Sequence, residues 1–456
     1  MATVLDVTVK NSLCTGCGMC AAICPRGLLS MAWNADGEWN PVIQSPCEHE
    51  CGMCTNVCPS LTTKHTDEDV IGSEIYGAVH GIQHRPETGF YLACGAGGVS
   101  DPDRRSACAS GGLASWFLEQ LVRKEIVDAV VCVHHTYDGE KLFGYTIAST
   151  VEDIRKSRGS AYYPTEISAA VRYILEHEGK YAVIGLPCTI KALRLAQRKN
   201  KLLRERILVI VGLTCGRMKN AHYTDYVAYL SGLNQKLHCV RYRNTDLSRP
   251  PKSHAYLFYG ENGAHTMINY KSSGAIFSSG LFGLSACKYC DDMMAECADI
   301  TFMDAWLPEY TQTEPRGTNI FVTRASLACT LLEEGNLSGE LSIHPLPIEK
   351  VIKSQGGLTR RKRIHYLLTL RKKAGLYIPF RRFDDASIQL SWLERYQARR
   401  YVYLEETGKQ KWQYLKGDCN KFRRWVMLQR LISLPYSVAG MGYRILKTQI
   451  IRRFSL

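Results

Sequence analysis

Two runs of closely spaced cysteines near the N-terminus constrain this chain more than any other feature of its sequence. In chain order they read Cys14-x2-Cys17-x2-Cys20-x3-Cys24-Pro25 and Cys47-x3-Cys51-x2-Cys54-x3-Cys58-Pro59. Four thiols in a short run that ends in Cys-Pro are typical of bacterial ferredoxins, in which two [4Fe-4S] clusters share the two runs. The spacing therefore predicts a two-cluster, ferredoxin-like domain at the N-terminus.

The ligands of the two predicted clusters cross between the runs, because the fourth cysteine of each run reaches the other cluster. We expect two sets of four thiolates: Cys14, Cys17, Cys20 and Cys58 in one, and Cys47, Cys51, Cys54 and Cys24 in the other. A pair of structural zinc sites is the alternative, but zinc usually takes two pairs of ligands separated by a longer spacer. The extra residue between Cys47 and Cys51 departs from the symmetrical pattern without removing a ligand.

Length and composition indicate a folded protein of several domains. The chain has 456 residues, more than one compact core usually holds, and its 45% hydrophobic and 22% charged residues are ordinary for a globular protein. Nineteen cysteines would suggest disulfides in a short secreted chain, but the N-terminus lacks the basic and apolar regions of a signal peptide. No apolar run approaches the roughly 18 residues of a membrane span. We therefore expect a cytoplasmic protein.

Positive charge is concentrated at the C-terminal end. From Arg360 onward the sequence has 23 Lys and Arg against 6 Asp and Glu, whereas the net charge of the whole chain is +14. Basic and aromatic residues alternate in the segments RRKRIHYLLTLRKK, FRRWVMLQRLISL and YRILKTQIIRRF. These segments predict helices that lie on anionic lipid at the inner face of the membrane or on a partner, or a helical appendix packed on the body. No nucleic-acid-binding motif accompanies the charge.

Between these two regions the sequence predicts alternating strands and helices. The apolar runs EIVDAVVCV, KYAVIGL and RILVIVGL have the length of buried strands, and LASWFLEQLVRKE and TIKALRLAQRKN have the periodicity of amphipathic helices. Ligands of open α/β sheets bind beyond the carboxyl ends of strands. Residues 185–189, 212–217 and 299–306 are therefore candidate site segments. Overall we predict an α+β fold with a mixed α/β body.

Five segments of the body, in order, resemble the marks of one family. They are SACASGGLAS, SRGSAYYP, GLPCTIKALR, GLTCGRM and SACKYCDDMMAECADITFMDAW. Together they are similar to the coenzyme F420 hydrogenase/dehydrogenase beta-subunit family, from the ferredoxin region to about residue 345. The resemblance implies an FAD-containing oxidoreductase with a third [4Fe-4S] cluster near the flavin. It also implies four parts: residues 1–65, the two parts of the family domain at 66–155 and 156–345, and a basic helical extension at 346–456.

The resemblance also suggests site residues, carried over motif by motif. The inner cluster would take Cys188, Cys215, Cys287 and Cys290. Flavin contacts would come from Ser110, Gly111 and Gly112, then from Gly159, Ser160, Tyr162 and Thr189. Glycines let backbone N–H groups approach a phosphate, and the helix that follows offers its positive N-terminal end. The alternatives are a turn that merely starts a helix for the Ser-Gly-Gly segment, and structural zinc or free thiols for the four cysteines.

Several residues depart from the family pattern. Ala161 stands where relatives place a lysine, Met303 replaces a glycine, and Cys297 is an extra thiol able to substitute for one inner ligand. Asp304 is either a strand-end cap or a group near the substrate, and no catalytic acid is assigned. The remaining thiols have no ligand spacing and are expected to be packing residues: Cys94, Cys108, Cys132, Cys239, Cys329 and Cys419.

A flavin beside iron-sulfur clusters exchanges electron pairs on one side and single electrons on the other. The resemblance therefore predicts electron transfer between a ferredoxin or partner redox subunit and a deazaflavin coenzyme or small organic substrate. The alternative is a non-catalytic electron-transfer subunit that docks on a partner enzyme.

Overall fold

The computed structural model describes residues 2–47, 51–136, 139–244, 254–382 and 389–433. The strands in these ranges are β1 (Leu29–Trp33), β2 (Trp39–Ile43), β3 (Gln83–Arg85), β4 (Gly89–Tyr91), β5 (Ala93–Val99), β6 (Ala129–His135), β7 (Phe143–Ala148), β8 (Tyr181–Gly185), β9 (Ile207–Leu213), β10 (Leu237–Asn244), β11 (Ala255–Gly260), β12 (His265–Asn269), β13 (Ile300–Asp304), β14 (Asn319–Thr323) and β15 (Leu341–Pro345).

The helices are α1 (Met19–Ala22), α2 (Met53–Asn56), α3 (Glu68–Tyr76), α4 (Pro102–Ser106), α5 (Leu113–Arg123), α6 (Val151–Lys156), α7 (Ser168–Glu176), α8 (Pro187–Lys199), α9 (Lys201–Arg206), α10 (Ala221–Leu230), α11 (Tyr270–Ser278), α12 (Pro308–Thr311), α13 (Ser326–Leu337), α14 (Ile348–Gln355), α15 (Gly357–Lys373) and α16 (Trp392–Tyr414). A π-helical turn (Leu5–Val9), a 3-10 turn (Ser285–Tyr289) and a helix at residues 419–433 complete the described elements.

The N-terminal region is built from two similar halves around a small hairpin. Strands β1 and β2 pair antiparallel from Leu29 opposite Ile43 to Trp33 opposite Trp39. Helices α1 and α2 each start after a glycine with positive φ, 83° at Gly18 and 61° at Gly52. Glycine adopts this left-handed backbone conformation without steric cost. Here the conformation turns each cysteine run sharply into one turn of helix.

An eight-stranded mixed sheet forms the centre of the body, in the order β15-β5-β14-β13-β9-β8-β6-β7. Strands β6, β8, β9 and β13 run parallel, and the strands outside them pair antiparallel. The predicted strands and helices of the body are confirmed as β6, β8, β9, α5 and α8. Because β8 and β9 are covered on both faces, they read as continuous apolar runs.

The parallel arrangement brings the carboxyl ends of β6, β8, β9 and β13 to one edge of the sheet. All three candidate site segments therefore meet at this edge, as the sequence predicts. A second sheet, in the order β10-β11-β12, packs with α10 and α11 around buried aromatic rings that include Tyr242, Tyr256 and Phe258. The large sheet takes strands from both predicted parts of the family domain.

The basic extension packs against the rest of the protein. Trp412 of α16 and Phe422 of the helix at residues 419–433 insert among Tyr226 and Phe282 of the body, with ring centroids 5.0–6.0 Å apart. Within the described part of the chain, no helix is both long and apolar enough to cross a bilayer. Residues 434–456, which include the whole of the predicted segment YRILKTQIIRRF, lie outside the described ranges.

Candidate functional site

A cavity of about 1200 Å³ lies at the carboxyl edge of the large sheet. Its walls include the residues after β8 and β9, the end of β13, and the buried side of β10. Pockets that hold a drug-sized ligand usually measure about 300–1,000 Å³. This cavity is therefore large enough for a cofactor together with part of a second ligand.

The Ser-Gly-Gly turn forms one wall of the cavity. Ser110 and Gly112 line it, whereas Gly111 turns toward Asn319, whose Oδ1 would lie 2.5 Å from a Cβ at that position. The same Asn319 oxygen accepts a hydrogen bond of 3.1 Å from the backbone N–H of Leu113, the first residue of α5. The N-terminal end of α5 thus faces the cavity, where its dipole favours an anion.

The second predicted flavin segment lies on the adjoining wall. Gly159, Ser160 and Tyr162 line the cavity, and Gly159 has a φ of 123°. Thr189 is buried and does not line it, and its side chain is hydrogen-bonded to the hydroxyl of Tyr145, a residue of the cavity wall. The structure therefore brings five of the seven predicted flavin contacts to one cavity.

Positive side chains outnumber negative ones on the cavity walls. The cationic lining residues are Arg155, Lys156, Arg158, Arg217, Arg241 and Arg243, and the described lining holds one carboxylate, Asp304. Arginine forms paired hydrogen bonds with phosphate oxygens, so this lining suits a phosphate-bearing ligand. Although Ala161 replaces the lysine of relatives, the cavity does not lack cations.

Arg243 connects four segments of the cavity wall. Its guanidinium donates to Asp304 through Nη1–Oδ1 at 3.0 Å and Nη2–Oδ2 at 2.5 Å, to the Ala109 carbonyl at 3.0 Å, and to the Tyr162 hydroxyl at 3.2 Å. The carboxylate beside it raises the Arg243 pKa, against the opposing effect of burial. Asp304 thus both ends a strand and faces the cavity. Sequence reasoning missed Arg243, because a single arginine in a β-strand carries no motif.

The four predicted inner cysteines come together from three parts of the chain. Cys188 is the second residue of α8, Cys215 follows β9, and Cys287 and Cys290 lie in and after the 3-10 turn. Burial raises the pKa of each thiol, and those of Cys215, Cys290 and Cys287 act on Cys188 as near neighbours. Cys215 also lines the cavity.

The spacing of these thiols bears on which metal they suit. Among the described side chains, no three His, Cys, Asp or Glu groups converge closely enough to hold a single metal ion. Zinc draws four ligands to about 2.1–2.3 Å of one centre, whereas the four thiolates of a cubane surround a larger group. The chemistry of four buried thiols, an all-sulfur ligand set, suits a [4Fe-4S] cluster.

The N-terminal cysteines form two neighbouring groups. The charges that raise the Cys20 pKa, after burial, come from Cys17, Cys14, Cys58 and Cys54 in that order, and those acting on Cys54 come from Cys51 and Cys47. Cys58 therefore lies with the first run, and Cys24, Cys54 and Cys58 all pack against one small cluster of buried residues. Cys47 and Cys51 are exposed. The crossed ligand sets stay a prediction from the sequence.

The first group also borders the inner cysteines. After burial, Cys17 is the charge that contributes most to the raised pKa of Cys188, and both thiols act on the buried hydroxyl of Tyr145, which lines the cavity. The Cys17 carbonyl accepts a hydrogen bond of 3.0 Å from the Ile167 N–H of the body. The thiol groups thus follow one another from the exposed Cys47 and Cys51 to the cavity.

The structure also shows where the extra thiol, three of the expected packing thiols and one unpredicted threonine lie. The Cys297 thiol is buried beside Glu68 and Asp292, and none of the four inner cysteines is among its main electrostatic neighbours. Three of the thiols expected to be packing residues, Cys108, Cys132 and Cys239, also line the cavity. Thr214, beside Cys215, has a buried hydroxyl with no hydrogen-bond partner in the described chain, and it also lines the cavity.

Comparison with known proteins gives matches along most of the chain. Residues 95–172 match the N-terminal model, and residues 178–349 the C-terminal model, of the coenzyme F420 hydrogenase/dehydrogenase beta subunit. Residues 13–61 match a 4Fe-4S dicluster domain.

The chain is similar to two curated proteins and one solved structure. It is 23% identical over 314 residues to a subunit of the F(420)H(2) dehydrogenase of Methanosarcina mazei, covering 67% of this chain and 81% of that protein. It is 20% identical over 297 residues to coenzyme F420 hydrogenase subunit beta of Methanothermobacter thermautotrophicus, covering 62% and 95%. A chain of the xenon-derivatised F420-reducing [NiFe] hydrogenase complex of Methanosarcina barkeri aligns with a TM-score of 0.49 at 18% identity, covering 66% and 98%.

Proposed function

The chain belongs to the coenzyme F420 hydrogenase/dehydrogenase beta-subunit family and carries a 4Fe-4S dicluster domain, and on this premise we propose that it is an iron-sulfur flavoprotein oxidoreductase. It passes electrons between ferredoxin-type clusters and an FAD-bound site that reduces or oxidises a coenzyme or small organic substrate. One observation carries the proposal. Cys188 of the inner thiol group borders Cys17 of the N-terminal group, and Cys215 of the inner group lines the cavity.

The order of the thiol groups defines a path for single electrons. The group with exposed Cys47 and Cys51 meets the external donor or acceptor, and the group with Cys17 follows it. The inner group, Cys188, Cys215, Cys287 and Cys290, lies between that group and the cavity. The relatives are named as subunits, so a partner redox subunit or a ferredoxin is the external party.

The cavity residues suit a bound FAD. When bound there, FAD supplies the exchange between electron pairs and single electrons. Arg158 and the N-terminal end of α5 offer positive charge to its two phosphates. The unpartnered hydroxyl of Thr214 can donate to or accept from a polar atom of the ring system beside Cys215.

The substrate side of the cavity is also cationic. Arg217, Arg241 and Arg243 would attract an acidic or phosphate-bearing molecule. Both curated relatives carry coenzyme F420 in their names, so a deazaflavin coenzyme is the first substrate to test, followed by small organic acids.

Metal, sulfide and flavin content of the anaerobically purified chain test the proposal. We expect about twelve irons and one FAD per chain, that is, three [4Fe-4S] clusters. About eight irons without flavin would instead favour the alternative, a non-catalytic electron-transfer subunit docked on a partner enzyme. The flavin-loaded protein, reduced with dithionite, is then mixed with oxidised coenzyme F420, and reoxidation of its flavin identifies the coenzyme as an acceptor.

A second proposal concerns the helix at residues 419–433: it docks on an anionic lipid surface. Its inner face is buried through Phe422, Val426 and Gln429, while Met427, Leu428 and Leu431 are each more than half exposed on the outer face. From residue 419 to the C-terminus the sequence has eight Lys and Arg and no Asp or Glu. Exposed aliphatic side chains among cations match the chemistry of an anionic bilayer surface.

Flotation of the full chain with vesicles tests this docking. We expect binding to vesicles of phosphatidylglycerol and phosphatidylcholine, and none to phosphatidylcholine alone. The variant Met427→Ser with Leu431→Ser should lose most binding, whereas Leu337→Ser, which changes an even more exposed leucine on α13 of the body, should not. If the unaltered chain fails to float with the anionic vesicles, the lipid proposal is wrong and a protein partner covers this face.

A further inference from the structure

The C-terminal extension contributes a buried arginine to the inner thiol group. Arg360 lies in α15, beyond residue 349 where the family match ends, and it is only 9% exposed. Its Nε donates to the Cys290 carbonyl at 2.9 Å and its Nη2 to the Cys287 carbonyl at 3.4 Å. Its Nη1 donates to the Gly216 carbonyl, next to Cys215. One guanidinium thus ties together the two loops that carry three of the four thiols.

The carboxylates near the Arg360 guanidinium do not neutralise its charge. Within the described chain Arg360 forms no ion pair with a carboxylate, whereas the nearby Glu405 is paired with Lys288 at 3.0 Å and Glu38 with Lys409. Arg360 also counteracts the burial that raises the pKa values of Cys215, Cys287 and Cys290. Its positive charge is therefore directed at the thiol group.

Two more arginines add to the positive charge on the same side. Arg217 and Arg363 lie over the ring of Tyr401 of α16, with their guanidinium carbons 5.0 and 5.4 Å from its centroid. Arg363 belongs to the same helix as Arg360, and both helices belong to the extension. The extension therefore contributes two arginines, Arg360 and Arg363, near Arg217 of the body.

We propose that Arg360 is a positioning residue that raises the reduction potential of the inner cluster, so that the extension is part of the redox site. A four-thiolate cluster gains negative charge when it accepts an electron, and a buried cation stabilises that reduced form more than the oxidised one. Hydrogen bonds and nearby charge are the means by which a protein sets cluster potentials. The inference rests on the inner cluster of the proposed function.

The test is a redox titration of the anaerobically purified full chain, followed by electron paramagnetic resonance. In Arg360→Gln we expect the midpoint potential of the inner cluster to become more negative, with the two N-terminal clusters unchanged. Arg360→Lys keeps the charge and should stay close to the unaltered chain. Lys372→Gln removes an exposed charge about 18 Å along the same helix and should shift none of the three signals.

Iron content of the same samples keeps the outcomes distinct. If Arg360→Gln keeps its iron and its inner potential does not move, the inference is wrong. If Arg360→Gln loses about four irons, Arg360→Lys distinguishes the two explanations. An intact inner cluster at the original potential in Arg360→Lys supports the inference. Loss of iron in Arg360→Lys as well shows a purely structural role and overturns the inference. If the unaltered chain itself shows no third cluster signal, the proposed function is wrong.

Discussion

Asp304, at the end of β13, and Arg243, in β10, form a two-pronged ion pair on the cavity wall, with oxygen-nitrogen distances of 3.0 and 2.5 Å. The pair joins the large sheet to the small one across the cavity. Through its other contacts Arg243 also holds Ala109, which precedes the Ser-Gly-Gly turn, and Tyr162 of the second flavin segment. This one guanidinium therefore sets the relative positions of both predicted flavin-binding segments.

We predict that Arg243→Met lowers both stability and flavin content. Removing one partner of a buried pair leaves the other charge uncompensated, which costs about 3–5 kcal/mol. The variant should release most of its FAD and unfold at a lower urea concentration. Lys236→Met, at an exposed ion pair just before β10, is the matched control and should change neither quantity measurably. Full flavin retention in Arg243→Met would contradict this role.

A second prediction concerns Gly18, where the N-terminal region meets the body. Gly18 has a φ of 83°, and a Cβ there would overlap the Glu166 carboxylate and lie 3.1 Å from the backbone nitrogens of Ile167 and Ser168. Gly27 has a φ of 64° and open space around it. Alanine at either position strains the backbone by about 1–2 kcal/mol, but only Gly18→Ala also pushes Cys17 away from the body.

Urea unfolding of the two alanine variants separates these effects. The free energy of unfolding of Gly27→Ala should fall only by the cost of the backbone strain. That of Gly18→Ala should fall measurably further. Gly18→Ala should also slow flavin reduction after dithionite is mixed with the protein in a stopped-flow instrument, because its N-terminal clusters lie farther from the inner one. Equal stability and equal rates in both variants would show that this contact is unimportant.

Much of this architecture is readable from the sequence because the signals are local. The cysteine runs encode their own spacing, and β8 and β9 read as strands because burial on both faces demands unbroken apolar residues. The position of the cavity follows from the parallel order of these strands. These features depend on residues close together in the chain.

Features that depend on contacts between residues far apart in the chain could not be predicted from the sequence. Gly111 turns away from the cavity because Asn319, 208 residues later, occupies the space beside it. Thr189 is drawn to Tyr145, and no periodicity marks Arg243 or Arg360 as buried cations. The basic segment RRKRIHYLLTLRKK illustrates the point, since its charge suggests a surface role while Arg360 and Arg371 are buried against the body.

A third prediction follows from His135, which lines the cavity. Burial, then the charges of His134 and Arg241, lower the pKa of His135 to about 4, and its ring also packs on Phe143 and lies 3.8 Å from the Cys239 thiol. The unfolded chain takes up this proton near pH 6.5, and the native protein near pH 4. Protonation therefore favours unfolding, and stability should fall as the pH drops through this window.

The pH dependence of the urea midpoint between pH 7.5 and 5 checks this expectation. His135→Asn should reduce the fall of the urea midpoint at acid pH. His265→Asn, at an exposed position on β12, should leave the dependence of the urea midpoint on pH unchanged. A slope in His135→Asn as steep as in the unaltered chain would assign the acid sensitivity to other groups.

The fourth prediction separates the inner thiol group from the extra thiol beside it. Cys215→Ser removes a proposed ligand whose thiol neighbours Cys287 and Cys290, so the anaerobic protein should lose about four of about twelve irons. Cys297→Ser changes a buried thiol that lies among Glu68, Asp292 and Lys191 instead, so it should keep all of its iron. Both variants should retain the roughly eight irons that we propose for the N-terminal cysteines. If Cys297→Ser loses iron while Cys215→Ser does not, the extra thiol is the fourth inner ligand, and the path from the N-terminal clusters no longer ends at the cavity wall through Cys215.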